Sequence, residues 1–212
     1  MTPATVVLFS AGLDSAVLAA AEARTSIVHP VYVSTGLAWE SEERAAVDRL
    51  LRAPAFAALQ PLASLAFTVT DVYPPSHWAL RGQPPAYDTP DEDVYLTGRN
   101  VVLLSKAGIF CARHGIGRIA MGLLRGNPFP DATPAFMAAM SSALSLGLAH
   151  PIAIAAPFAG MSKAEVIRLG RDLGVPLSLT LSCMNPAGGQ ACGRCSKCRE
   201  RIDAFAAAGI DE

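Results

Sequence analysis

Thr5-Val6-Val7-Leu8-Phe9-Ser10-Ala11-Gly12-Leu13-Asp14-Ser15 runs straight into Ala16-Val17-Leu18-Ala19-Ala20. A continuous apolar, β-branched segment ends at a corner of small residues, and an Ala-rich helical pattern begins directly after it. The reading is strand, tight loop, helix. The loop supplies Gly12 for close backbone approach, the hydroxyls of Ser10 and Ser15, and the Asp14 carboxylate in the first helical turn. Unpaired N–H groups at a helix N-terminus, together with the positive end of its dipole, make such a corner an anion site, usually for phosphate. No Gly-Lys-Ser/Thr follows, so it is not a Walker A loop. An ordinary strand-to-helix turn with Asp14 as a capping carboxylate uses the same residue types.

The corner resembles the Ser-Gly-Gly-x-Asp-Ser pyrophosphatase loop of enzymes that cut ATP between its α and β phosphates, with Ala11 in the first Gly position. If that position requires a positive φ, Ala there costs about 1 kcal/mol. If it only donates its N–H, nothing is lost.

At 212 residues, the chain is long enough for one ordinary domain or one plus a small appendage. Its formal charge of −1 argues against a surface that coats nucleic acid. No run of eighteen apolar residues occurs, and the N-terminus enters a strand at once. A soluble, cytoplasmic protein is the expectation.

Ser26–Ser34 is a second buried-strand pattern, Glu40–Leu51 an amphipathic helix ended near Pro54, and Ala63–Thr70 a third strand. This β-α-β-α-β order demands parallel strands and right-handed crossovers. Asp71–Asp93 breaks the rhythm with five prolines and, between them, Tyr73, His77, Trp78, Arg81 and Tyr87. A loop of this length in a compact domain is functional or disordered, and its aromatics favour an ordered lid or partner surface. A helix over 101–114 follows Gly98-Arg99-Asn100. Gly115-Ile116-Gly117-Arg118-Ile119-Ala120 formally matches the dinucleotide fingerprint, but these glycines precede the strand 118–124 instead of following one, so they read as a helix stop and a turn. Arg125–Asp131 then falls at the carboxyl edge of the sheet, where ligands of open α/β sheets bind. A helix over 133–146, a short strand over 151–155 and a helix opened by the capping-box spacing Ser162-Lys163-Ala164-Glu165 complete a doubly wound, five-stranded parallel α/β architecture.

Cys183-x8-Cys192-x2-Cys195-x2-Cys198 places four of the five cysteines in the last thirty residues. Four thiolates on short, Gly-containing turns can close around one tetrahedral ion, with zinc the default. A [4Fe–4S] cluster is the nearest rival, but Arg199 follows where a ferredoxin run continues differently, and disulfides come third. Cys111 sits in a helical apolar pattern and reads as plain core.

Taken together, Ser10–Ser15, Gly98-Arg99-Asn100 with Leu104-Ser105, Pro130-Asp131, Lys163-Ala164-Glu165, and Ser182-Cys183 through Cys198-x2-Arg201 resemble the 7-cyano-7-deazaguanine synthase (QueC) family. The resemblance spans nearly the full chain and is strongest from Pro151 to Phe205. It implies an adenine-nucleotide α-hydrolase-like fold and a carbon–nitrogen ligase that uses ATP, Mg²⁺ and zinc. The acid, 7-carboxy-7-deazaguanine, would be activated as an acyl-adenylate, amidated by ammonia and dehydrated to the nitrile, often by a homodimer. Residues 1–176 then form the ATP-binding unit with a lid at 71–93, and residues 177–212 the four-cysteine metal-binding segment and terminal helix. Phe9, Ser10, Ala11, Gly12, Leu13, Asp14, Ser15 and Asn100 are the nucleotide-binding candidates. Asp14, Arg99 and Lys163 are the catalytic ones: Asp14 orients the ion or the loop, while Arg99 and Lys163 neutralise phosphate oxygens or serve as helix-face ion pairs. Asp131 is the candidate for a purine-like edge, and Cys183, Cys192, Cys195 and Cys198 for the metal.

Two stretches depart from the family pattern. Ser34-Thr35-Gly36-Leu37-Ala38-Trp39 stands where members usually carry Asp-Tyr-Gly-Gln-Arg-His, and Pro130-Asp131-Ala132-Thr133-Pro134 where they usually read Pro-Asp-Cys-Arg-Pro. Arg-to-Thr removes a bidentate carboxylate partner. A paralogue acting on a different carboxylate is therefore an alternative. So are an RNA-thiolating enzyme with the same loop, against which the weak charge and missing RNA module argue, and a nucleotide-binding regulator without catalysis.

Overall fold

The structure, a computed structural model, describes residues 2–211. Its centre is a parallel sheet of β1 (Ala4–Leu8), β2 (Ile27–Ser34), β3 (Ala63–Ala66), β4 (Arg118–Ala120) and β5 (Ala153–Ala155), in the order β3-β2-β1-β4-β5. Val6 and Val7 of β1 are both fully buried, although their side chains leave opposite faces of the sheet. That is the signature of a parallel sheet covered on both sides. The order reverses between β1 and β4, so the crevice for ligands lies at their carboxyl ends, where the first loop is.

Helices α1 (Leu13–Glu22), α2 (Glu40–Leu50), α4 (Arg99–His114), α5 (Pro134–Leu148), α6 (Lys163–Asp172) and α7 (Ser196–Ala208) surround the sheet, and α3 (Trp78–Arg81) is a single turn between α2 and α4. One core joins Phe9 and Leu18 to Val47, Leu50, Ile167 and Phe205. The other joins Val6, Val31 and Ile119 to Leu104 and Cys111. Cys111 is thus core, and burial pushes its thiol up to about 12. Gly170 of α6 lets α1 approach closely: a Cβ there would stand 2.6 Å from Val17 Cγ2.

Two strands are shorter than their sequence patterns. β3 stops at Ala66, paired with Ser34, because β2 ends there and the chain turns away through Gly36. β4 stops at Ala120, paired with Ala155, because β5 ends there. Gly115 closes α4 in the left-handed conformation, as a helix stop requires.

Residues 71–93 pack into a third apolar cluster, where Ala79, Tyr73, Trp78 and Leu80 join Leu37, Trp39, Val69 and Met184. Trp39 stacks on Trp78 with ring centres 5.8 Å apart, and His77 stacks on Tyr73 while its Nδ1 accepts from Ala79 N. The segment also reaches the C-terminal turn: Ala86 bridges Cys195, and Arg199 donates to Tyr87 O at 2.7 Å.

Candidate active site

The corner after β1 is held by its own hydroxyls. Ser15 Oγ donates to Gly12 O at 3.0 Å, Ser10 N donates to Ser15 Oγ at 3.3 Å, and Gly12 N donates to Ser10 Oγ at 3.4 Å. Ala11 has φ 60, so the left-handed conformation is required and the Ala is strained. Leu181 N donates to Ala11 O at 2.9 Å, which pins the corner to the segment before the cysteines. The corner opens into a cavity of about 290 Å³, whose wall includes Phe9, Ser10, Gly12, Leu13, Asp14 and Ser15. Lys163, Arg99 and Asn100 border the same cavity, brought in from distant parts of the chain by the N-termini of α6 and α4.

At the loop end, four charges alternate. Asp14 Oδ2 lies 3.5 Å from Lys163 Nζ, Lys163 Nζ lies 2.6 Å from Glu200 Oε1, and Lys197 Nζ lies 2.6 Å from Glu200 Oε2. Burial pushes the Asp14 carboxyl up, against the pull of Lys163. In Glu200 burial is outweighed by Lys163 and Lys197, which hold it down at about 2. An exposed corner is the expectation for Asp14; the structure corrects it, because the side chain is only 26% exposed and Oδ1 is buried with no hydrogen-bond partner among the described residues. Gly122, after β4, makes this possible: a Cβ there would sit 3.1 Å from the Asp14 carbonyl carbon.

The opposite end holds residues that no sequence motif marks. Trp39 and Glu43 lie one turn apart at the start of α2, and both border the cavity. Tyr32 Oη donates to Glu43 Oε2 at 2.9 Å. Burial pushes Glu43 up to about 7, against the pull of Arg99. Arg99 borders the same cavity, and its Nε is buried without a partner among the described residues. The sequence does contain one signal: Glu43 shares a helix face with Ala46, Val47 and Leu50, all buried, and a carboxylate on such a face needs a reason.

Asp131 is buried and already engaged. It accepts from Asn100 N at 3.1 Å and from Asn100 Nδ2 at 3.3 Å, so the pair caps the start of α4. Asn100 Nδ2 also donates to Asp131 O at 3.0 Å. Thr133 is the N-cap of α5, its Oγ1 accepting from Phe136 N at 3.1 Å.

Cys183, Cys192, Cys195 and Cys198 bring their sulfurs within 4.8 Å of one another. Zn–S bonds of about 2.3 Å put tetrahedral sulfurs about 3.8 Å apart, so this set fits one ion. Ligands of a four-iron cube each bind a different iron and stand farther apart, so the compact set disfavours the cluster. Cys192 N and Asn185 N donate to Cys183 Sγ, both at 3.3 Å, which orients that ligand. The hydrogen bond from Cys183 holds Cys195 down at about 4.

A family model described as "Queuosine biosynthesis protein QueC" matches residues 4–209. A protein of Anaeromyxobacter dehalogenans named 7-cyano-7-deazaguanine synthase is 34% identical over 98% of this chain and 93% of its own. Proteins with the same name from Marinobacter nauticus and Dechloromonas aromatica are 31% and 33% identical, over 100% and 97% of this chain and 96% and 94% of theirs. None of the helices among the described residues is long and apolar enough to cross a membrane.

Proposed function

The chain belongs to the queuosine biosynthesis protein QueC family, and on that premise we propose that it is an ATP-dependent synthase acting on a deazapurine acid. The acid attacks the α-phosphate of ATP, pyrophosphate leaves, and ammonia displaces AMP from the acyl-adenylate to give the amide, which loses water to become the nitrile. The substrate that fits the relatives' name is 7-carboxy-7-deazaguanine. The observation that carries this reading is the cavity shared by the Ser10–Ser15 corner, Lys163 and Arg99.

Positioning and charge stabilisation do most of the work in such a reaction. The N–H groups at the start of α1 receive the leaving pyrophosphate. Lys163, at the N-terminus of α6, exchanges part of its pairing with Asp14 for phosphate oxygens. Asp14, whose Oδ1 has no partner among the described residues, is the residue that would hold the Mg²⁺ accompanying ATP, which would supply charge neutralisation for the phosphates. The 71–93 segment, packed beside Trp39, keeps water from the adenylate. The four cysteines would hold zinc, whose role would be structural: it would fix the start of α7, from which Lys197 and Glu200 reach Lys163. A homodimer is part of the same proposal.

The test is pyrophosphate release from ATP with 7-carboxy-7-deazaguanine and ammonium, with mass spectrometry of the product. Nitrile formation supports the reading, and no release with this acid overturns it. A related acid is the second reading, favoured by Thr133 serving as a helix cap where an Arg is usual. Release with a related deazapurine acid at higher kcat/KM identifies that case.

A further inference from the structure

At the end of the cavity away from the corner, three features with no partner role of their own converge. Trp39 borders the cavity and stacks on Trp78 at an interplanar angle of 11°. Glu43 is only 8% exposed and, among the described residues, has the Tyr32 hydroxyl as its hydrogen-bond partner. A carboxylate has about four acceptor positions, so most of its capacity is unused. Arg99 Nε–H is a buried donor with nothing among the described residues to donate to. Leaving such groups unpaired costs free energy, which a ligand that pairs them recovers. An aromatic face, an acceptor and a donor together suit a planar heterocycle with adjacent N–H donors and a carbonyl along one edge. Asp131 cannot supply that acceptor freely, because Asn100 already occupies it from two directions.

We propose that Trp39, Glu43 and Arg99 form the heterocycle subsite, in which Glu43 accepts the ring N–H and exocyclic amino donors, Arg99 Nε–H donates to the ring carbonyl and Trp39 stacks on its face. The assignment rests on the function proposed above and names the residues that set its substrate preference. Trp39 belongs to the turn that departs from the family pattern, so the same subsite is where a shifted preference would be written. Glu43 meets Tyr32 from β2, Arg99 from α4 and Glu40 from its own helix, and burial raises it to about 7. As the carboxylate is the form that accepts two donors, ring binding strengthens as pH rises through about 7.

The probes are 7-deazaguanine and 7-deazahypoxanthine, which differ only in the amino donor. Their binding is measured by calorimetry and needs no turnover. The wild-type chain is expected to prefer the amino-bearing ring by about ten- to a hundredfold. Glu43→Gln should reduce that preference to within about threefold. Affinity of the wild-type chain for 7-deazaguanine should rise about tenfold from pH 6 to pH 8. No preference in the wild-type chain, or an unchanged preference in Glu43→Gln, overturns the assignment. If Glu43→Gln fails to fold by thermal melting, the wild-type pH profile decides, and a flat one overturns it. Ring binding of the expected kind without any pyrophosphate release would sink the proposed reaction and leave the subsite standing.

Discussion

At the loop end of the cavity, Asp14, Lys163, Glu200 and Lys197 alternate in sign through contacts of 3.5, 2.6 and 2.6 Å. At the other end, Glu43 has a phenol as hydrogen-bond partner and Arg99 keeps an Nε unpartnered among the described residues. The first arrangement fixes charge: Glu200 stays ionised throughout the neutral range because two ammonium groups face it. The second leaves charge adjustable, because a buried carboxyl raised to about 7 is half protonated near neutrality. Alternating charges suit a site that must hold its shape around a polyanion. Unpaired polar atoms suit a site that waits for a ligand. The fixed end also has a remote anchor, since Lys197 and Glu200 lie on α7 beside Cys195 and Cys198.

The largest expected effect comes from cutting that anchor. Cys195→Ala should abolish metal binding, about one ion per chain in the parent, and lower stability by several kcal/mol. Pyrophosphate release should fall to background, because α7 carries half of the charge chain and contributes Ala204, Phe205 and Ala208 to the main core. Metal analysis and thermal melting check the first two effects, and the release assay the third. Cys111→Ser, in the opposite core, should leave the metal content unchanged. A Cys195→Ala chain with full activity would separate the cage from the charge chain and break the comparison at its first step.

Next in size is Asp14→Asn, expected to reduce pyrophosphate release by about 10²-fold or more through loss of the carboxylate facing Lys163. The fold should survive, as circular dichroism would show, because Asn fits the same space beside Gly122.

Most of the architecture was legible because it depends on local pattern. The β-branched run into a small-residue corner, the Ser162–Glu165 capping box and the Gly115 stop are each decided within a few residues, and each forms as read. Strand ends were not legible. β3 stops where β2 stops and β4 where β5 stops, and a neighbour's end lies elsewhere in the chain. The candidate site divides in the same way. Ser10–Ser15 and the four cysteines announce themselves by spacing, and the structure brings each set together. Glu43 and Glu200 do not, because their roles depend on what α4 and α6 bring against them. Asp131 combines both: the resemblance marks it for a purine-like edge, while the hydrogen bonds it accepts from Asn100, 31 positions earlier, follow from what α4 brings against it.

The adjustable end makes a prediction opposite in sign to the usual effect of removing a buried acid. Glu43 is raised from the ordinary 4.5 to about 7 in the folded chain. A folded state that holds its proton more tightly loses relative stability as pH climbs from about 4.5 to about 7, with an upper bound of about 3 kcal/mol above that window. Glu43→Gln should therefore melt higher than the parent at pH 8, and the difference should shrink towards zero near pH 4.5. A destabilised Glu43→Gln at pH 8 would mean that Arg99 and Tyr32 hold the carboxylate firmly, and the two ends would then follow the same plan.

The smallest expected effect, at the corner itself, is a near-cancellation. Ala11 has φ 60, where an L residue with a Cβ is strained by about 1 kcal/mol, and Gly relieves that strain. The same Ala11 is fully buried within the main core, so Gly removes one methyl from it, at about 0.8 kcal/mol. The two terms oppose each other, and Ala11→Gly should change stability by no more than about 0.5 kcal/mol. Activity should be kept or raised, because the backbone of the corner is pinned independently by Leu181 N to Ala11 O. Chemical denaturation and pyrophosphate release measure the two sides separately. A loss of about tenfold or more in release at unchanged stability would show that the Ala11 methyl sets the loop's shape for its anion, and the fixed end would then owe its geometry to a strained residue as much as to paired charges.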